Sequence, residues 1–391
     1  MPKADLQSAP RRRIPPSAWP VLAWTVLFGA MLSLQYAARR IAPSKNPGLL
    51  DGWVQFDGPE YLSIAADGYQ RRQLVWFPVY PLLVRLTDGV LGEPVVAAVL
   101  VSAAAGAASV VLFWYWTVQQ GFSASTQVWA VAVLMLYPYG WFLYGVVYSD
   151  AVFLAAGLAA FLLTERRHYW WAAAAGAVAA ASRPSGLAVV AGLLVLALER
   201  EGVIRVPGAS AGWANALRLP VVVDRSRWRG RSLVPALSVG GLLAVMAFQW
   251  RWWGSPIAFV TEQSNYHDTG MSSLLKQQYF EAWSQGFDGR HLATTTAQAV
   301  LLVLVIGSVP AVGRRFGWGY AVFVLGLAML PAMSVSTFMG SGRYLLPAFP
   351  VFALWGEWLS RRRGLGLAVL AVSGVALAVM SAGFARSWYL T

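Results

Sequence analysis

The chain has no cysteine in 391 residues, which excludes disulfides, thiolate metal sites and cysteine nucleophiles. Histidine is almost as scarce: His168, His267 and His291 are the three present, and they lack the spacing of metal ligands. Acidic residues number only 17, and charged residues of both signs make up 12% of the chain. No phosphate-cradling Gly-Lys-Ser/Thr loop and no Gly-x-Gly-x-x-Gly turn occurs. Their absence argues against a nucleotide-driven pump.

What the chain has in excess is apolar surface. Hydrophobic residues form 58% of it and tryptophans number 20, the composition of a polytopic membrane protein in contact with lipid. A net charge of +13 would suggest nucleic acid, but the basic residues mostly punctuate apolar segments. They read as orientation signals, and no nucleic-acid partner is expected. Arg11-Arg12-Arg13 precede the apolar run 18–38, which is long for a cleaved leader and reads as an uncleaved signal anchor.

Segments able to cross a core of about 30 Å fall at 18–38, 94–118, 127–148, 150–164, 169–182, 185–198, 233–252, 296–312, 318–335, 343–359 and 365–385. Ser182-Arg183-Pro184 leaves open whether 169–198 is two short helices or one kinked helix. With eleven crossings and a cytoplasmic N-terminus, 18 of the 30 Lys and Arg fall on the cytoplasmic side, in keeping with the positive-inside bias. A single crossing over 169–198 would put Arg314-Arg315 and Arg361-Arg362-Arg363 outside, so eleven is preferred.

The expected fold is therefore an all-α polytopic integral membrane protein of the plasma membrane. A basic cytoplasmic tail, 1–17, leads into one transmembrane domain, 18–391. External loops are expected at about 39–93 and 253–295, and a basic cytoplasmic loop at about 199–232. The first external loop contains 76–86, whose two prolines, Arg85, Trp76 and Tyr80 suit an interfacial or re-entrant helix. The second is polar and aromatic, with Asn265, Tyr266, His267, Asp268, Tyr279 and Trp283, and has the composition of a flap over a site.

Within the first external loop, Asp57, Tyr61, Ile64, Ala65 and Gly68 share one face of a helix that starts at Asp57 and stops at Gly68. Two readings stay open for Asp57. With Glu60 three residues on, it is a helix cap; alternatively, it is a carboxylate displayed at the membrane surface for chemistry. Asp150, Arg183 and Arg343 stand at the ends of apolar segments, where charge is costly and marks function. The topology puts all three on the same face as Asp57. Taken singly, Asp150 could equally cap a helix, and either arginine could bind headgroups generically.

The run Phe56-Asp57-Gly58-x-x-Tyr61-x-x-Ile64-Ala65-x-x-Gly68-Tyr69, followed by Trp76-Phe77-Pro78-x-Tyr80-Pro81-Leu82, resembles the PIG-V-like membrane mannosyltransferases. Phe56 stands where that family has Trp. Tyr148-Ser149-Asp150 resembles a family Tyr-Ser/Thr-Glu segment with Asp in place of Glu. Ser182-Arg183-Pro184-Ser185-Gly186-Leu187 and Gly342-Arg343-Tyr344-Leu345 resemble its Thr-Arg-Pro-Thr-Gly-Leu and Pro-Arg-Tyr-Leu segments. The likeness covers about 50–350 in matching order. It implies a GT-C glycosyltransferase with a bundle of about eleven transmembrane helices and interfacial helices in its first external loop. It also implies a polyprenyl-phosphate sugar donor, mannose being the sugar expected, and a glycolipid or glycan acceptor.

On that resemblance Asp57 is the catalytic base, and Arg183 and Arg343 are suited to the donor phosphate. Asp150, Tyr61, Tyr148 and Tyr344 fall to the acceptor or to a secondary site. No cofactor and no divalent metal are expected. The contrasting reading is a lipid or solute transporter with the same charges along its path. It would call for paired broken helices in both halves, and only Arg183-Pro184 offers one.

Overall fold

A computed structural model of the protein describes residues 18–41, 47–205, 222–264, 275–285, 289–334 and 336–388. The expected tail at 1–17, and Asn265, Tyr266, His267 and Asp268 of the second loop, lie outside the described residues. Among the described residues the protein is all-α apart from one minimal antiparallel pair, β1 (Ile204–Arg205) with β2 (Val222–Val223).

Helices lie on all eleven apolar segments. They are α1 (Trp19–Ile41), α4 (Pro94–Gln119), α5 (Ala124–Met135), α6 (Asp150–Glu165), α7 (Tyr169–Ser182), α8 (Gly186–Arg200), α9 (Val239–Trp253), α12 (Gly289–Phe316), α13 (Trp318–Ser334), α15 (Phe349–Ser360) and α16 (Arg363–Ala385). Between them run α2 (Gly58–Asp67), α3 (Val79–Leu91), α10 (Ala258–Gln263), α11 (Gln277–Gln285) and α14 (Ser341–Leu345). Among the described residues five stretches are long and apolar enough to cross a membrane: Trp19–Ile41, Pro94–Gln119, Gly230–Trp253, His291–Phe316 and Arg363–Ala385. Their outward residues, such as Val26, Leu100, Val303 and Val372, are exposed apolar side chains, the mark of a surface made for lipid. Arg183 interrupts the chain in an extended conformation (φ −158°, ψ 151°), so α7 and α8 are two helices and not one kinked helix.

Connections alternate between the two ends of the bundle. At one end Glu165, the last residue of α6, meets Arg200, the last of α8, and Gln120, just beyond α4. Arg315, near the end of α12, reaches both the Gln120 carbonyl and Glu357 of α15 there. At the other end lie α2, the start of α6, the α7–α8 turn and α14.

The chain differs from its sequence-based expectation at 127–148. Helix α5 stops at Met135, and 136–149 is irregular except for a 3-10 turn, Gly140–Leu143. Pro138 removes a donor and restricts Tyr137 to non-helical backbone. The segment is buried nonetheless, because its backbone finds partners. Leu143 O accepts from Trp24 Nε1 at 3.0 Å, Val147 N–H donates to Trp53 O at 3.1 Å, and Met135 O accepts from Tyr144 Oη at 2.7 Å. Irregular backbone at this depth is tolerated only when enclosed by protein. Gly106 of α4 permits that approach, since a Cβ there would lie 1.9 Å from Leu143 O.

Helix α3 covers the expected interfacial piece. It buries Tyr80, Pro81 and Val84 and turns Leu82, Leu86 and Val90 outward, an amphipathic pattern suited to a membrane surface.

Candidate active site at one end of the bundle

Asp57 occupies the cap position of α2, yet its side chain makes no capping hydrogen bond. Its backbone is helical (φ −72°, ψ −16°), not the extended form of capping residues. Glu60, which would complete a capping box, instead accepts from Gln73 Nε2 at 2.7 Å and lies 3.8 Å from Arg72. The capping reading of Asp57 is therefore not realised. The helix itself follows the expected face, burying Tyr61, Ile64 and Ala65 and stopping at Gly68, whose φ is +86°.

Two distant parts of the chain fix Asp57. Its N–H donates to Tyr148 Oη at 3.0 Å, and its Oδ2 accepts from Arg343 Nη1 at 3.1 Å. Before it, Phe56 has φ +52°, a left-handed conformation that bulky side chains avoid at a cost of about 1–3 kcal/mol. That backbone turn aims the carboxylate into the bundle end instead of along the helix start.

Arg343 stands on α14, not at the head of the long expected segment 343–359, which Leu346-Pro347-Ala348 divides from α15. Gly340 (φ +84°) turns the chain into α14. Gly342 N–H donates to Gln298 Oε1 at 3.1 Å, and Gly342 O accepts from Tyr137 Oη at 2.9 Å. A Cβ on Gly342 would sit 2.2 Å from Tyr139 Cε2, so only glycine lets α14 settle against the buried 136–149 segment. The guanidinium then lies over the Tyr148 ring at 4.9 Å and the Tyr344 ring at 5.4 Å, contacts that hold a cation by ring quadrupole.

Asp150, the first residue of α6, bonds to Arg183 Nη1 and lies 3.8 Å from Arg343 Nε. Arg183 also stacks over Tyr344 at 5.0 Å. The four charges thus alternate in sign, Asp57–Arg343–Asp150–Arg183. Side-chain exposure runs 28%, 13%, 1% and 7% along that order, so Asp57 is the most exposed of the four and Asp150 is a buried counter-ion. Its burial between two guanidinium groups satisfies a charge that alone would be very costly there.

Tyr61 Oη shares a 3.0 Å hydrogen bond with Ser149 Oγ, and its ring meets Tyr148 edge-on at 6.0 Å. Burial pushes the Tyr61 phenol above the ordinary tyrosine range, so it stays protonated and serves as a neutral hydrogen-bonding group.

All seven expected residues therefore gather at one end: Asp57, Asp150, Arg183, Arg343, Tyr61, Tyr148 and Tyr344. Tyr279 and Trp283 of the second loop sit on α11, where Tyr279 Oη shares a 3.0 Å hydrogen bond with Thr296 Oγ1 and Trp283 is exposed. Nothing in the sequence marks Gln298 or Gln73. Ser149 stands in the Tyr148-Ser149-Asp150 segment without a role of its own, and Glu60 enters only as a capping partner of Asp57. Among the described residues no group of three or more His, Asp or Glu is placed to hold a metal ion. Both site carboxylates face guanidinium groups instead.

No protein-family model matches the chain, and no curated protein matches it.

Proposed function

We propose that the protein is an inverting membrane glycosyltransferase of the PIG-V-like, GT-C kind, with mannose carried by a polyprenyl phosphate as its donor. One observation carries the reading. Four charged side chains from four distant segments converge at one end of an apolar bundle, and the most exposed is the carboxylate of the family-like motif. The acceptor hydroxyl oxygen attacks the anomeric carbon as the bond from that carbon to the phosphate oxygen breaks. The hydroxyl proton passes to Asp57. Charge gathering on the departing lipid phosphate is met by Arg343, a planar fork matched to phosphate oxygens. Asp150 and Arg183 hold Arg343 in place; the buried Tyr61 and Tyr148 back Asp57 and Arg343, and the half-buried Tyr344 is left to the acceptor side.

On this reading the eleven helices are eleven crossings, with the N-terminus cytoplasmic and the Asp57 end external at the plasma membrane. The donor's tail then lies in the bilayer beside the site. A transporter would hold its charges near the bilayer midplane, whereas Asp150 begins a helix and Arg183 follows the end of one. The deciding experiment supplies membranes containing the protein with polyprenyl-phosphate mannose labelled in the sugar. Label should appear in a new glycolipid or glycan. Movement of intact donor across a liposome without transfer would replace the enzyme with a transporter.

A further inference from the structure

The opposite end of the bundle carries a second polar feature that glycosyl transfer does not use. A cavity of about 480 Å³ opens there, and Arg167, Arg200, Arg227, Arg229 and Arg231 face it with only Glu199 and Glu201 against them. That volume is within the range of pockets that hold small ligands.

The acids are already committed. Glu199 accepts from Trp318 N–H at 2.8 Å and Gly319 N–H at 2.9 Å, closing the start of α13. Glu201 holds Arg231 at 2.8 Å and the Tyr169 phenol at 2.8 Å, with Arg167 at 4.0 Å. Outside the lining, Glu165 accepts from Nε and Nη2 of Arg200 at 2.6 and 2.7 Å, and Asp224 takes Arg227 at 3.1 Å. Arg229 makes no side-chain hydrogen bond or ion pair among the described residues. The cavity keeps a surplus of positive charge after its internal bonds are counted.

Its position identifies the anion. Arg225, Arg227, Arg229 and Arg231 alternate through one short segment with exposed Trp228 among them. The segment runs without a spacer into Gly230–Trp253, a stretch long enough to cross a membrane. A tryptophan and several arginines at the mouth of a crossing belong in the headgroup layer, where each basic residue favours anionic lipid by about 1 kcal/mol. Guanidinium forks match phosphate oxygens in pairs.

We infer that this cavity binds the phosphate of an anionic phospholipid headgroup, with the lipid's acyl chains against the Gly230–Trp253 stretch. The inference does not rest on the glycosyltransferase reading and holds whichever reaction the other end performs.

The test uses the full chain in detergent, titrated with phosphatidylglycerol or phosphatidylcholine and read by native mass spectrometry. Phosphatidylglycerol should be retained in preference to phosphatidylcholine. Arg227→Gln with Arg229→Gln should weaken phosphatidylglycerol retention roughly ten- to thirtyfold. Arg229→Gln alone, at an exposed and unpartnered side chain, should lose part of it without altering the fold. The control is Arg361→Gln with Arg363→Gln, at the same end but outside the cavity, which should retain the lipid as the wild type does. Equal losses in the control would reduce the effect to general surface charge and overturn the site. So would equal retention of the two lipids. Full displacement by millimolar inorganic phosphate would show a site for the free anion, and would overturn the lipid assignment.

Discussion

Asp57 and its neighbours differ in what they face, and their substitutions should separate accordingly. Asp57→Asn keeps the shape but cannot take a proton, so transfer should fall by about 10²- to 10⁴-fold with the protein still in the membrane fraction. Near-wild-type turnover of that variant would remove Asp57 from the chemistry. Arg343 pairs with Asp57, the most exposed of the four charges, and Arg343→Ala should lower kcat/KM by about ten- to a hundredfold. Arg343→Lys should recover only part, because an ammonium lacks the planar fork. Arg183 lies behind Arg343 against the buried Asp150. Its loss leaves a partly uncompensated carboxylate, a lesion of about 3–5 kcal/mol. Arg183→Ala should therefore show first as a lowered melting temperature in detergent. A stable Arg183→Ala protein with a raised donor KM would instead move Arg183 to the phosphate.

At the scale of elements, the site depends on how α14 leans on the irregular 136–149 segment. Gly342→Ala would drive a methyl group into the Tyr139 ring, displacing Arg343 from Asp57. Activity should drop at least tenfold, and Tyr139→Leu in the same chain should restore part of it. No rescue would mean that α14 is placed by other contacts. Much of this architecture could be read beforehand. The face of α2 and its glycine stop followed from spacing, and charge bias favoured two helices over 169–198, a choice that Ser182-Arg183-Pro184 alone left open. The break after Met135 did not follow from hydropathy, which is high over most of 127–148 and cannot distinguish a buried irregular segment from a helix. Its signal was Pro138, which the reading of one continuous crossing overrode. The cap reading of Asp57, one of the two left open, could not be settled from sequence for a similar reason. The cap pattern is local, whereas the partner that claims the carboxylate is 286 positions away.

For the whole molecule, the order of its two ends across the membrane is open to a direct measurement. The chain has no cysteine of its own, so single cysteines at Ala66, Ser284 and Ser226, all exposed, label without background. An impermeant thiol reagent applied to intact cells should modify the first two and spare the third. The reverse pattern would place Asp57 on the cytoplasmic side. A further consequence follows from helix length. The helices that end at the site are short, 16 residues for α6, 14 for α7 and 15 for α8, so α6 spans only about 24 Å of a hydrocarbon core of about 30 Å. On the proposed eleven-crossing topology the bilayer thins around them, or the site lies several ångströms below the level of the surrounding headgroups. A lipid-borne donor phosphate would then reach Arg343 only where the membrane dips, and hydrophobic mismatch would become part of substrate access. Transfer measured in reconstituted bilayers should decline as acyl chains lengthen, through the donor KM more than through kcat. A rate indifferent to bilayer thickness would mean that the donor reaches the site through the aqueous loops instead.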